Sequence, residues 1–274
     1  HTRFRNVTGV QTCALPISQW EGDKITLWAS TQSPYRVHAS TAALYNLPDD
    51  NVRIIASYVG GGFGTKSAPH TDESVAALLA RKARLPVKLQ YSREEEILDS
   101  NTRFQTRIYV RIGVKKDMTI QALELKAYIN QGAYHTRLGG LGNQATHTYK
   151  TANVRTEQYR VHTNIPNTGP TRGVGDPQET FAVESAMDEI ANEMGWDPME
   201  FRLKNIKRNG DPIARGPAGV EDGKLVAQAL DRCIDMGAAR MQWNRRNAVP
   251  GSPAGAKARG IGVACTEQIG RAHV

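Results

Sequence analysis

The stretch Asn51-Val52-Arg53-Ile54-Ile55-Ala56-Ser57-Tyr58-Val59-Gly60-Gly61-Gly62-Phe63-Gly64-Thr65-Lys66-Ser67, NVRIIASYVGGGFGTKS, decides how this chain is read. Its first half alternates and reads as a strand, with Val52, Ile54, Ala56 and Tyr58 on one face. Its second half is a glycine loop. Thr71-Asp72-Glu73 then supplies helix-capping chemistry ahead of ESVAALLARKARL, which reads as a largely buried helix stopping at Pro86. PVKLQYS follows as a strand on the far side, so the order strand, loop, helix, strand makes a βαβ-like unit. Upstream, KITLWAS (24–30) is another alternating strand, and RVHASTAALYNL is a helix ended by Pro48-Asp49-Asp50.

Glycines between a strand and a helix, with Lys-Ser behind them, raise the question of a phosphate cradle. A P-loop needs Gly directly before Lys-[Ser/Thr], and Thr65 stands there instead. The dinucleotide pattern G-x-G-x-x-G fails too, because Gly60-x-Gly62 leads to Thr65 and Gly62-x-Gly64 to Ser67. What survives is physical capacity. The glycines can take positive φ and let backbone N–H groups converge on an anion, beside the positive end of the helix that follows. A tight strand-to-helix turn without a ligand is the bland alternative.

Beyond this unit, RFQTRIYVRIGV and TIQALELKAYINQGAY are long strands joined by a turn at Lys115-Lys116-Asp117-Met118, and NVRTEQYRVHTN is a third strand. A second loop rich in Gly and Pro, PNTGPTRGVGDP (166–177), leads into a helix from about Gln178 to Met194. Phe181, Val183, Met187, Ile190 and Met194 are its inward residues. Asp197-Pro198 restarts a helix through an N-cap and a first-position proline. DPIARGPAGVEDG (211–223) reads as a linker. KLVAQALDRCIDMGAARMQW is an amphipathic helix with Leu225, Val226, Leu230, Cys233, Ile234 and Met236 inward, and RGIGVAC opens a strand. Strands and helices mix without strict alternation, so the class is α+β, mixed sheets with packed helices.

Both ends look foreign. VTGVQTCALPI, with HTRFRN before it, reads as a translated sequencing adapter, and IGRAHV as the opposite adapter, so 1–17 and 269–274 are set aside. The 35 basic and 27 acidic residues give +8 over the whole chain, and leaving out Arg3, Arg5 and Arg271 lowers this to +5. That charge is mixed along the chain, with no basic block to suit nucleic acid. Cys233 and Cys265 remain, too far apart for a metal spacing or a disulfide framework, which suits a reducing compartment. No run approaches the ~18 apolar residues of a membrane span.

The glycine loop has companions. STQSPYR (30–36) lies before it, and TRGVGDPQETFAVESAMDEIA (171–191) and GWDPMEFRLKN lie after it. In this order they resemble the molybdenum-binding subunit of the xanthine dehydrogenase/aldehyde oxidase family, over essentially all of 18–268. The resemblance implies a first molybdopterin-binding domain over 18–210, the linker 211–223, and the truncated start of a second such domain over 224–268. It implies a molybdenum hydroxylase working with water-derived oxygen. The cofactor is a molybdopterin, as a cytosine dinucleotide in bacterial members, and electrons leave through two [2Fe–2S] clusters to FAD on partner subunits or domains. A dimer of heterotrimers in the cytoplasm is expected, the periplasm being the alternative.

Residue by residue, Gln32 matches the glutamine whose amide donates toward the oxo group of the metal. Gly61, Gly62, Phe63 and Gly64 match the loop whose backbone approaches the cofactor, with Phe63 at the metal pocket. Arg172 matches the arginine of the second loop, and Gly173 and Gly175 permit close approach there. Gln32, Phe63 and Arg172 thus meet the molybdenum centre through the cofactor, and no side chain is expected to ligate the metal itself.

Three departures bear on substrate. Ser67 stands near the place of a glutamate found in purine-oxidising members, Gln144 near that of a substrate arginine, and Val174 replaces an aromatic wall. Losing those partners argues against a xanthine-type pocket and for an aldehyde or N-heteroaromatic substrate. The general base of the family is a glutamate that this chain does not reach. Glu184, Glu189 and Glu193 read as solvated or ion-paired, Arg93-Glu94-Glu95-Glu96 as a solvated helix start, and His135 and His147 as isolated. Two other readings stay open: carbon monoxide or aromatic thioester chemistry on the same architecture, and a decayed, non-catalytic relative that keeps the scaffold. Carbon monoxide oxidation needs a cysteine in the second loop, and GPTRGVGDP (169–177) has none.

Overall fold

A computed structural model describes residues 16–134, 141, 143–215, 220–247 and 260–266. The reading of the ends as foreign falls mainly outside these residues. Pro16 and Ile17 are the exception, since the chain is already in a strand at Ile17.

The first half is a four-stranded sheet in the order β3-β2-β1-β4. Its strands are β1 (Ile17–Glu21), β2 (Lys24–Trp28), β3 (Val52–Ile55) and β4 (Val87–Lys88). Helix α1 (Pro34–Tyr45) carries β2 into its parallel neighbour β3, and α2 (Thr71–Ala83) carries β3 across to β4 at the other edge. Ile25, Leu27, Val37, Ala42, Val52 and Ala77 are among the buried apolar residues between sheet and helices. The small Ala76, Ala77 and Ala80 let α2 lie close on the sheet. Trp20 donates its indole N–H to the Ala77 carbonyl at 2.9 Å, fixing that contact.

The second half is a three-stranded sheet, β5 (Thr106–Val114), β6 (Ile120–Gly132) and β7 (Asn153–His162), preceded by the short helix α3 (Arg93–Asp99). β5 and β6 form an antiparallel hairpin, while β6 and β7 run parallel, joined through α4 (Asn143–Thr148). Helix α5 (Asp176–Met194) and helix α6 (Pro198–Asn205) share the core with this sheet. Leu123, Leu125, Ala127 and Ile129 of β6 meet Val183, Met187 and Ala191 of α5 and Phe201 of α6 in one cluster. Each fully buried Leu or Ile there contributes on the order of 2 kcal/mol relative to exposure.

Several expectations are corrected. The strand at 52–59 stops at Ile55, and Tyr58 is exposed, because the backbone leaves the sheet to enter the glycine loop. The residue capping α2 is His70, with Thr71 already helical. Phe181 is 77% exposed. It precedes Val183 by two residues, about 200° around a helix of 3.6 residues per turn, and so faces away from the core. Met194 is also largely exposed at the helix end. The stretch 211–223 holds most of a two-stranded antiparallel pair, β8 (Pro212–Arg215) and β9 (Val220–Lys224), where only a linker was expected. The last helix, α7 (Leu230–Met241), starts later than its apolar pattern implied, leaving Val226 exposed. Of its inward candidates Ile234 is buried, whereas Cys233 and Met236 are exposed. Residues 260–266 form no strand, although Cys265 is buried.

One buried ionic group ties these parts together. Arg202 is 0% exposed and pairs with Glu184 at 2.8 Å and with Asp188 at 2.7 Å. Glu184 also accepts from the Tyr149 hydroxyl at 2.6 Å and from the Cys265 N–H at 2.8 Å. Glu184 is therefore ion-paired, as the sequence suggested, but inside the fold rather than in water. Burial first, and the Glu184 charge next, push the Tyr149 hydroxyl well above its ordinary range.

Candidate functional site: two apposed glycine loops

The first loop hangs between the ends of β2 and β3. Beyond Trp28 the chain stays beside β3 through Ala29, whose N–H donates to Ile55 O at 3.0 Å. Gln32 then donates its backbone N–H to Lys66 O at 2.9 Å, which closes the glycine loop onto the β2–α1 connection. The Lys66 ammonium donates to Ser30 Oγ at 2.6 Å and to Val59 O at 2.8 Å, so it staples the neck of the loop. This is the structural reason that the Lys-Ser pair is no P-loop. The Ser67 hydroxyl turns back to donate to Gly64 O at 2.6 Å.

Gln32 is held at one end. Its Oε1 accepts the Gly64 N–H at 3.0 Å, which leaves the side-chain NH2 as a free donor among the described residues. Gly62 is obligatory for this arrangement. A Cβ there would stand 2.3 Å from the Gln32 side chain. Gly61 and Gly64 have φ of +105° and +94°, and Phe63 between them has φ 50°. A left-handed phenylalanine is costly, and residues held this way cluster at ligand sites.

The second loop, 166–175, packs directly on the first. A Cβ on Gly64 would lie 3.0 Å from Pro170 O. The Arg172 guanidinium sits over the Phe63 ring, 6.0 Å from its centroid. Val174, at φ 49°, repeats the left-handed bulky residue of the first loop, and Gly173 has φ 80°. The second loop ends at Gly175, the N-cap of α5.

Gly61, Gly62 and Gly173 are half-buried and Gly175 is buried, while Gly60, Phe63 and Arg172 are exposed, and buried or half-buried amides seldom go unpaired. In the second loop the carbonyls turn toward protein donors. Thr171 O accepts from Val174 N at 2.6 Å, Gly173 O from Asp176 N at 2.8 Å, and Gly175 O from Glu179 N at 3.1 Å. Val174 O accepts from Arg103 Nη1 at 2.9 Å, and Arg172 O accepts from Arg103 Nη2. The N–H groups of Arg172, Gly173 and Gly175 donate to none of the described residues. In the first loop the same holds for Gly60, Gly61, Gly62 and Phe63. The seam between the two sheets thus offers two runs of unpaired backbone donors, together with the Gln32 amide and the Arg172 charge. Such a donor set fits an anionic, oxygen-rich ligand.

Behind the first loop lie two buried acids at the start of α2. Glu73 Oε2 accepts the His70 N–H at 3.0 Å, and the His70 ring meets Thr65 O at 2.6 Å. Burial pushes the Glu73 carboxyl up from 4.5 to about 7, and it raises Asp72 as well.

The structure brings Gln32, Gly61, Gly62, Phe63, Gly64, Ser67, Arg172, Gly173, Val174 and Gly175 to this one seam. Gln144 is placed in α4, and its side chain lies outside the described residues, as does His135. Sequence reasoning missed Arg103. It sits in SNTRF, which reads as the approach to a strand, and nothing local marks a cation that will reach a loop about seventy positions later.

A family model described as the molybdopterin cofactor-binding domain matches residues 11–206. The chain belongs to that family. Among curated proteins, it is 35% identical over 250 residues to the xanthine dehydrogenase molybdenum-binding subunit of Escherichia coli O157:H7, covering 89% of this chain and 32% of that one. It is 34% identical over 228 residues to the nicotinate dehydrogenase large molybdopterin subunit of Eubacterium barkeri, covering 81% of this chain and 52% of that one. Among solved structures, the aldehyde oxidoreductase of Desulfovibrio gigas superposes with a TM-score of 0.73 at 26% identity, over 86% of this chain and 26% of that one. The chain therefore spans about a third to a half of the curated relatives' length. The neighbours carry the same α+β architecture of mixed sheets and helices. Among the described residues no helix is long and apolar enough to cross a membrane.

The donor set of this molybdopterin-binding domain fits the family's cofactor. Free amides on two glycine loops suit phosphate and pterin oxygens, and Gly62 is the residue whose missing Cβ keeps Gln32 in place.

Proposed function

We propose that this chain is the first cofactor-binding part of a molybdenum hydroxylase large subunit. In the complete enzyme it serves oxidation of an aldehyde or an N-heteroaromatic ring with oxygen drawn from water. The observation that carries this reading is the pair of apposed loops with unpaired amides at Gly60–Phe63 and at Arg172, Gly173 and Gly175. When bound, a molybdenum-carrying pterin, in cytosine dinucleotide form, supplies the two-electron and oxygen-transfer chemistry. The chain's own residues bind and orient. The loop amides would hold the cofactor's anionic parts, the Gln32 NH2 would donate toward its metal end, and Arg172 packs over the Phe63 ring beside them.

Ser67, Gln144 and Val174 are the substrate-side positions of this reading. None of them offers the fixed charge that a purine pocket uses, which favours the aldehyde or N-heteroaromatic class. The relatives include a nicotinate dehydrogenase and an aldehyde oxidoreductase, alongside a xanthine dehydrogenase. Electrons pass to iron–sulfur clusters and FAD on partner subunits, in a cytoplasmic dimer of heterotrimers. Residues 18–210 are the first domain of this reading and 224–268 the start of the second, with the β8–β9 pair at the junction.

The test is turnover by the complete subunit copurified with its partners, in water enriched in oxygen-18, against aromatic aldehydes, nicotinate and xanthine. Label entering an aldehyde or N-heteroaromatic product supports the reading. Xanthine as the preferred substrate, or no oxidation at all, overturns it.

A further inference from the structure

The inference drawn here rests on the cofactor reading above and deepens it. We infer that Arg103 is the positioning residue of the second loop. It holds the carbonyls of Arg172 and Val174 on one side, so that the N–H groups of the same two peptides, on Gly173 and Gly175, are left to the ligand side.

The geometry is specific to a guanidinium. Nη1 donates to Val174 O at 2.9 Å and to Gln178 Oε1 at 3.1 Å, while Nη2 donates to Arg172 O. One planar fork thus spans two carbonyls of the loop and the first turn of α5. Gln178 is itself fixed, because its NH2 donates to Phe104 O at 3.1 Å, next to Arg103 in the chain. The backbone there is also tied to the loop's approach. Thr102 and Thr168 form a bridge, Thr102 N donates to Asn167 O at 3.3 Å, and Gly169 N donates to Thr102 O at 3.0 Å. Gly169 admits no side chain, since a Cβ would stand 2.6 Å from Asn101 Cγ. The segment 101–104 is therefore a template laid against 167–178.

The loop needs such a template because its conformation is unfavourable by itself. Val174 is β-branched and sits at φ 49°, beside Gly173 at φ 80°. A strained residue persists only where its surroundings over-determine it. Arg103 makes the two contacts that bracket Val174, at Arg172 O and at Val174's own carbonyl. Without them the 172–174 peptides lose their fixed orientation, and the amides lose theirs with them. Arg103 touches no part of the ligand side in this arrangement. It acts through the loop.

Lysine cannot substitute, because a single ammonium offers no planar fork for two carbonyls and an amide. Losing an outer partner of a metal-site residue typically lowers affinity by about 10- to 100-fold, and a fall of that size is expected for Arg103→Ala and nearly the same for Arg103→Lys.

The experiment has two parts. In the complete subunit, hydrogen exchange is followed peptide by peptide for wild type, Arg103→Ala and Arg103→Lys. Faster exchange confined to 170–178 supports the inference, and unchanged exchange there overturns it, as does acceleration across the whole fold. In the complete subunit with its partners, molybdenum and oxidised-pterin fluorescence are measured per polypeptide, with and without added guanidinium. A wild type that retains the cofactor, an Arg103→Ala variant that loses it at an unchanged thermal midpoint, and recovery by guanidinium support the assignment. Equal retention by both overturns the role of Arg103 and leaves the cofactor reading standing. A wild type that carries no pterin overturns both.

Discussion

Substituting Gly62 by alanine separates the placement of Gln32 from the stability of the fold. The added Cβ would stand 2.3 Å from Gln32 Cδ and Oε1 and 2.5 Å from Cγ. Carbon atoms pack comfortably at about 3.5–4.0 Å, so the Gln32 side chain must withdraw by about 1 Å or more. That exceeds the slack of its 3.0 Å bond from the Gly64 N–H, which breaks. Gly62 is not among the positive-φ residues, so the alanine backbone itself is unstrained. The lost bond costs about 0.5–1.5 kcal/mol, and the reduced freedom of the unfolded chain returns about 0.4–1 kcal/mol. Net stability should therefore change by less than about 1 kcal/mol. Turnover responds differently. A donor aimed at developing charge is typically worth about 100- to 1,000-fold in kcat, and a fall of that order is expected in Gly62→Ala and equally in Gln32→Ala. The assay is kcat and thermal midpoint of the complete enzyme for wild type and both variants. Wild-type kcat in Gly62→Ala would refute the reasoning, because the steric displacement of Gln32 leaves no route to full activity.

Glu73 gives a pH dependence. Its carboxyl is raised from 4.5 to about 7 by burial, so the folded chain holds that proton more tightly than the unfolded chain. The favourable contribution is complete below pH 4.5 and is lost as pH rises through about 7, a change of about 3 kcal/mol at about 1.4 kcal/mol per pH unit. Glu73→Gln keeps an oxygen for the His70 N–H and should be more stable than wild type at pH 8 but not at pH 4.5; denaturant midpoints at the two values check this, and an equal difference at both contradicts it. Arg202→Met strands the buried Glu184 carboxylate and should cost about 3–5 kcal/mol. Adding Glu184→Leu should recover much of that in thermal unfolding, while a double variant no better than the single would show that the pair is not acting as a charge pair.

What was legible in the sequence was local chemistry. The βαβ order of β3, α2 and β4, the β5–β6 hairpin with its turn at 115–118, and the Asp197 cap all follow from short-range patterns. Asp197 does accept the N–H groups of Met199 at 2.8 Å and Glu200 at 3.1 Å. At the site, both glycine loops announced themselves because left-handed φ and close approach demand glycine. What stayed hidden depends on distant partners. The parallel pairing of β6 with β7 leaves no local mark. Glu184 looks like a solvated helix residue until Arg202, Tyr149 and Cys265 surround it. Phe181 was misplaced because apolarity was taken for direction. Arg103 was invisible because its partners are carbonyls of another loop, and a carbonyl has no residue identity to read.

The most direct test of the central claim is location. Crystals of the complete subunit complex, measured at the molybdenum absorption edge, give an anomalous map that places the metal without reference to any assumed ligand. The expected result is one peak beside the free amide of Gln32 and the Phe63–Arg172 pair, with pterin density running along the amides of Gly60–Phe63 and of Arg172, Gly173 and Gly175. A molybdenum peak away from this seam, or a seam filled only by solvent in a complex that carries molybdenum, would contradict it.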